Sequence, residues 1–258
     1  MSSRNVTFYV RQPAPLTGYV SVDGHAFDCQ DPSRLHQAYH IVFVIDSSSS
    51  MTSTDCVPLP NTPINARLRR SNCNNRYGAV LSALYGFWLS REAAFTTRRQ
   101  DTYSVVTFGD SPMTRLRNDS TSTADQLIEK FLPQTGQGDP NFQAALAMAQ
   151  TLIEAHWSSD RAPMIIFLSN GKGHITDGPV YDLCRKCVRL GKALAFHSVT
   201  FGRDTNSIPL RRMSEIAHDV FASAPQDSSM PARGNLCTHR NAIDSVRPIF
   251  PQGFASFV

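Results

Sequence analysis

His40-Ile41-Val42-Phe43-Val44-Ile45-Asp46-Ser47-Ser48-Ser49-Ser50-Met51 decides how the chain is read. Its first half is an unbroken apolar, β-branched run. Such a run fits a strand buried on both faces, as at the centre of a parallel sheet. It ends at an aspartate followed by four serines. Open α/β sheets bind ligands at the carboxyl ends of their strands, so Asp46 stands where binding or chemistry is expected.

Asp46, Ser48 and Ser50 alternate, and a tight loop would turn their oxygen-bearing groups toward one point. Carboxylate and hydroxyl oxygens are hard ligands suited to Mg²⁺ or a similar cation. The plainer alternative is a serine-rich turn capping a strand end. An apolar strand ending in Asp-x-Ser-x-Ser, then Met, resembles the metal-ion-dependent adhesion site of the von Willebrand factor A (vWA) domain.

Two later stretches extend the resemblance. Gly136-Gln137-Gly138-Asp139-Pro140-Asn141-Phe142 leads into an apolar helix face of Phe142, Ala145, Leu146, Ala149, Leu152 and Ile153. It is similar to the family's second motif, Gly-Gly-Thr before a helix, whose threonine gives its hydroxyl to the metal. Pro140 holds that position here and has no side-chain oxygen; Asp139, one residue earlier, could substitute. The stronger reading of Asp139 is purely helical: an N-cap, with Pro140 as the first helical residue. A second buried strand, Pro163 to Leu168, ends in Ser169-Asn170-Gly171. The family's third motif has aspartate where Asn170 stands, so the position keeps an oxygen and loses the charge.

The resemblance spans roughly residues 38 to 223. It implies a Rossmann-like three-layer α/β sandwich, a mostly parallel central sheet with helices on both faces. It implies a degenerate site of Asp46, Ser48, Ser50, Asp139 and Asn170 that holds Mg²⁺ or Mn²⁺ weakly. It implies a binding function, with a protein partner presenting Asp or Glu to complete the coordination at the C-terminal edge of the sheet. The alternative is a metal-independent scaffold in an intracellular complex, for example a ubiquitin-linked one. Its contact surface would be the proline-rich insertion after Met51 with Arg67, Arg69 and Arg70.

The rest of the chain reads as a domain with two flanks. At 258 residues it suits one α/β domain with extensions. Residues 1–37 form an N-terminal extension in which segments 6–10 and 18–22 read as short strands able to pair as a hairpin. Residues 38–223 are the vWA-like domain, and 224–258 a loosely held tail with one short helix near Asn241 to Val246. Within the domain, helices are expected at 76–90, 123–131, 179–190 and 210–217. Strands are expected at 103–108, 113–116 and 195–200, with a last short one at 220–222. The stretch from Met51 to Asn75 reads as irregular.

Several classes are disfavoured. No apolar run is long enough for a membrane span, and no hydrophobic core follows Met1-Ser2-Ser3-Arg4-Asn5, so a cytoplasmic protein with reduced cysteines is expected. A net charge of +4 is too small to argue for nucleic acid. No enzyme is expected: there is no nucleophile elbow and no phosphate loop. A metal-assisted hydrolase on Asp46, Asp139 and Asp177 has no clear general base. Cys184-x-x-Cys187 lies on an apolar helix face without a second ligand pair and reads as core. His36 and His40 are four apart, but His40 opens a strand and no zinc site is expected.

Overall fold

Two units make up the chain, Met1–His36 and Gln37–Val258. The computed structural model describes residues 19–20, 26–27, 38–60, 62–93, 101–132, 138–202, 207–223 and 237–241. In the first unit, β1 (Tyr19–Val20) pairs antiparallel with β2 (Ala26–Phe27). The hairpin partner of segment 18–22 is thus 26–27; segment 6–10 and His36 lie outside the described residues.

In the second unit the apolar run becomes β3 (Ala38–Asp46), with Ile41 through Asp46 at 0% exposure. Full burial on both faces places it in the middle of the sheet. A 3₁₀ turn (Ser49–Thr52) follows, then α1 (Asn65–Arg70), α2 (Arg76–Ala93), β4 (Thr102–Phe108), β5 (Pro112–Asp119) and α3 (Ala124–Glu129). Next come α4 (Phe142–Ala155), β6 (Arg161–Ser169), α5 (Asp177–Arg189), β7 (Ala195–Thr200), α6 (Ile208–Ser223) and β8 (Cys237–Asn241).

The strands form one sheet in the order β5-β4-β3-β6-β7-β8. Every pairing is parallel except that of β5, which closes one edge antiparallel to β4. The chain winds outward from β3 in one direction, then returns beside β3 with β6 and winds the other way. That reversal makes the gap between the ends of β3 and β6 the topological switch point, where open α/β sheets bind ligands.

Side-chain alternation along the central strands builds two cores. Ile41, Phe43 and Ile45 with Met164, Ile166 and Leu168 pack under α2 and α3, where Phe43 meets Phe87 and Trp88 edge-on at ring-centroid distances of 5.5 and 5.8 Å. Val42, Val44, Ile165 and Phe167 pack under α4, α5 and α6. Cys184 and Cys187 are buried members of this second core, so their reading as core residues holds.

Four expectations need correcting. The stretch after Met51 is not wholly irregular, because α1 forms there and anchors through buried Leu68. Residues 220–222 are the last turn of α6 rather than a strand. The tail is not uniformly loose, since β8 adds to the sheet beside β7. Finally, Asn141, not Asp139, caps α4, its Oδ1 accepting from the Ala144 N–H at 3.0 Å.

His40 sits in β3 at the end of the sheet opposite Asp46. Its ring nitrogen shares a hydrogen bond with Ser104 Oγ at 2.9 Å, and the His156 ring stands edge-on at 6.0 Å. Burial first, then the positive fields of His156 and Arg161, lower its pKa from 6.5 to about 4. Since the folded value lies below the unfolded one, the unfolded chain takes up the proton first as pH drops. The stability is complete above pH 6.5 and is lost as pH falls toward 4, on the order of 3 kcal/mol in total. Urea midpoints between these pH values should show this loss, and His40→Leu should flatten it.

Candidate functional site

The carboxyl ends of β3, β4 and β6 and the loop entering α4 meet at the switch point. Asp46 ends β3 with no exposed surface, so both carboxylate oxygens must find partners inside the protein. Oδ1 accepts from the Ser48 N–H at 2.8 Å, which folds the serine turn back on its own strand. Oδ2 accepts from the Ser169 hydroxyl at 2.5 Å, a charge-assisted bond joining the ends of β3 and β6. Burial raises the Asp46 pKa above its ordinary value, against the opposing hydrogen bonds from Ser169 and Ser48.

Ser48 Oγ and Ser50 Oγ lie 3.0 Å apart, and Asn170 Nδ2 donates to Ser50 Oγ. The Asn170 amide is held from its other end, where Oδ1 accepts from the Lys172 N–H at 3.1 Å. Four of the five residues expected at the site, Asp46, Ser48, Ser50 and Asn170, therefore form one connected network. Asp139 joins differently. Its side chain is exposed and takes no part in that network, while its backbone N–H donates to Asp110 Oδ1 at 2.7 Å.

The neighbouring loops are locked to the serine turn. Ser47 N–H and Oγ donate to the Phe108 carbonyl at 2.7 and 3.0 Å, tying β3 to the end of β4. Ser49 N–H and Oγ donate to the Gly138 carbonyl at 3.0 and 3.2 Å. Asn141 N–H donates to the Gly109 carbonyl at 3.0 Å. Beneath the turn, Arg76 at the start of α2 donates from Nη1 to the Ser50 carbonyl at 3.3 Å. Two 2.6 Å bonds also bind its guanidinium to Asp55, a bidentate pair that neutralises it.

Reading the sequence did not single out Ser169, Asp110 or Arg76. The Ser169 hydroxyl was visible within the third motif. The other two act through tertiary neighbours far along the chain and leave no local signature. Of the arginines expected to meet a partner, Arg67 is turned inward against α3, paired with Glu129 and, at 3.6 Å, with Asp125. Arg69 and Arg70 are exposed on α1. Asp177, the third carboxylate of the hydrolase alternative, forms an ion pair with Arg212 at 2.7 Å.

The resemblance implies a divalent cation, and the donor set can be tested against one. The 3.0 Å between the two serine hydroxyls suits adjacent ligands of an octahedral ion, which at about 2.0–2.1 Å from the metal stand roughly 3 Å apart. The charge and the amide do not suit it. Asp46 is the one carboxylate in the network, and burial disfavours its ionised form. Asn170 turns its N–H₂ toward Ser50 and its oxygen toward Lys172, so a donor faces the place where a cation needs an acceptor. Among the described residues no three His, Cys, Asp or Glu side chains gather as a metal site. As they stand, these residues do not fit a dication.

Gly138 is where this frame is most exposed to change. Its φ is +62°, which favours glycine, and a Cβ there would fall 1.9 Å from Asp110 Oδ2. Gly138→Ala should destabilise the domain by about 1–3 kcal/mol, read from chemical denaturation, by combining backbone strain with displacement of Asp110.

Comparison with known proteins agrees with this architecture. The structure is similar to that of the SpRpn10 VWA domain, at 13% identity, over 85% of this chain and 93% of that one, with a TM-score of 0.53. It is also similar to manganese-loaded Plasmodium vivax TRAP protein, at 13% identity, over 84% of this chain and 73% of that one, with a TM-score of 0.51. At such identities the likeness shows the fold alone. No curated protein matches the sequence. The sequence model of the von Willebrand factor type A domain matches residues 41–172, and the chain belongs to that family, whose domains are generally protein-interaction modules.

Proposed function

We propose that this chain is a protein-interaction module that receives its partner at the C-terminal edge of the sheet. The docking surface is formed by the loops that carry Ser49, Asp139 and Lys172, all three of them exposed. The observation that carries the reading is the cross-bracing of those loops. Bonds from Ser47, Ser49, Asp139, Asn141 and Ser169 tie four chain segments into one frame at the switch point. A surface held in one arrangement before binding loses less entropy when a partner docks.

An enzymatic role fits less well. A general base has to reach the proton it removes. Asp46 has no exposed surface, and Asp177 is engaged by Arg212. The intracellular setting belongs to the same proposal. Cys56 and Cys187 are free thiols, as suits a reducing compartment. No helix among the described residues is long and apolar enough to cross a membrane.

Quantitative co-purification from cells tests the surface. Ser49→Arg and Lys172→Glu change the proposed docking edge, while Asp160→Lys changes the exposed turn just before β6, at the opposite end of the sheet. Both edge variants should reduce recovery of the same partner by about tenfold or more, with the Asp160 variant behaving as wild type. Undiminished recovery with both edge variants would place the docking surface elsewhere.

A further inference from the structure

We infer that the Asn170 side chain takes the place of the cation, so that this site is closed by an amide hydrogen bond and does not take up Mg²⁺ or Mn²⁺. This inference concerns the ion alone and stands whether or not a partner docks at the edge.

The inference follows from where each polar atom's bond goes. In a site built for a metal, the ligand oxygens point their lone pairs at a common centre and depend on the ion to satisfy them. Here the same oxygens satisfy one another. Ser48 Oγ and Ser50 Oγ are hydrogen-bonded to each other at 3.0 Å, and Asn170 Nδ2 donates to Ser50 Oγ. Asp46 is occupied at both oxygens, by Ser48 N–H and by the Ser169 hydroxyl. Asn170, Ser48 and Ser169 are all buried, and none of them has an unpartnered polar atom facing the turn.

The amide's orientation is set from both ends. Turning Asn170 Oδ1 toward Ser50 would give up its bond from Lys172 N–H and set an N–H₂ group against that backbone donor. Both changes work against the turned amide: the Lys172 N–H loses its acceptor, and two N–H donors face each other across a part-buried contact. A carboxylate at the same position has no such conflict. One oxygen accepts from Lys172 N–H while the other faces the serine hydroxyls, whose 3.0 Å spacing already suits an octahedral ion. The geometry of a cation site thus persists, and the side chain at position 170 sets whether an ion or a hydrogen bond occupies it.

Titration calorimetry with MnCl₂ and with MgCl₂, paired with thermal melts in each salt, tests this on the full chain. Wild type should give flat heats and a melting temperature indifferent to Mn²⁺. Asn170→Asp should give saturable one-site heats and a melting temperature that rises with Mn²⁺. Because affinity at oxygen sites follows ligand charge, the gain should be about tenfold or more. Saturable Mn²⁺ binding by wild type that disappears in Asp46→Ala would overturn the inference. So would a natively folded Asn170→Asp chain with no gain over wild type. Should that variant fail to fold, Asn170→Ala decides: without the amide N–H, its melting temperature should drop below wild type and stay indifferent to Mn²⁺. An Asn170→Ala chain as stable as wild type would show that the amide closes nothing.

Discussion

A carboxylate with no access to water has to be satisfied by the protein around it, and the top of this domain is arranged around that requirement. Asp46 ends β3, a strand with no exposed surface from Ile41 onward. Its 2.5 Å bond from Ser169 bridges the two strands between which the winding reverses. Its bond from Ser48 N–H bends the serine turn, and the turn in turn positions Ser47 and Ser49 to bind the ends of β4 and the loop before α4. Losing one partner would leave a buried charge exposed to no solvent, which is far more damaging than the loss of an ordinary surface hydrogen bond. The order of the loops thus rests on the burial of one side chain.

Burial raises the energy of the ionised Asp46, as its raised pKa records, while the hydroxyl and N–H donors pull the other way. Such a group is poorly placed to touch a substrate and well placed to hold shape. The exposed groups of the frame include Ser49, Asp139 and Lys172, one carried by each of three braced loops. A partner docking at the proposed edge would meet a surface whose backbone is fixed from below and whose outward side chains are short or long, polar and of both signs. Specificity on such a surface comes from complementarity to a fixed pattern, without reshaping the loops.

The parts of this molecule that could be read in advance are those whose cause is local. β3 and β6 announced themselves because strands buried on both faces need continuous apolar runs. Asp46, Ser48 and Ser50 were legible from their spacing after β3, and Asn170 from the resemblance of Ser169-Asn170-Gly171 to the family's third motif. What escaped depended on distant neighbours. Val220, Phe221 and Ala222 looked like a short strand because three apolar residues carry no periodicity that separates strand from helix. β8 was hidden in a stretch rich in Pro, Ser, Gly and Asn, where pairing with β7 overrides the composition. Asp139 and Pro140 made a plausible helix start, yet the chain caps at Asn141. Asp110, which holds Asp139 by its backbone, and Arg76, which reaches back under Ser50, could be found only once the fold had brought them there.

The two positive-φ glycines of the site show how shape and charge can part company. Gly138 lets the loop before α4 approach Asp110, and Gly171, at φ +79°, lets the third loop approach Ser207, whose Oγ a Cβ would meet at 2.2 Å. Both constraints are steric and take no account of what occupies the centre of the site. The ligand set answers to a different requirement, the balance of donors and acceptors around Ser50. One change of side chain, from a carboxylate to an amide at position 170, reverses that balance without moving a backbone atom, because the two groups have nearly the same size and shape. A domain can therefore retain every loop of an ion-binding edge while the physical basis of what those loops hold changes from an electrostatic bond to a hydrogen bond. In this chain the hydroxyls at positions 48 and 50, bonded to each other and to Asn170, already have the second kind of partner.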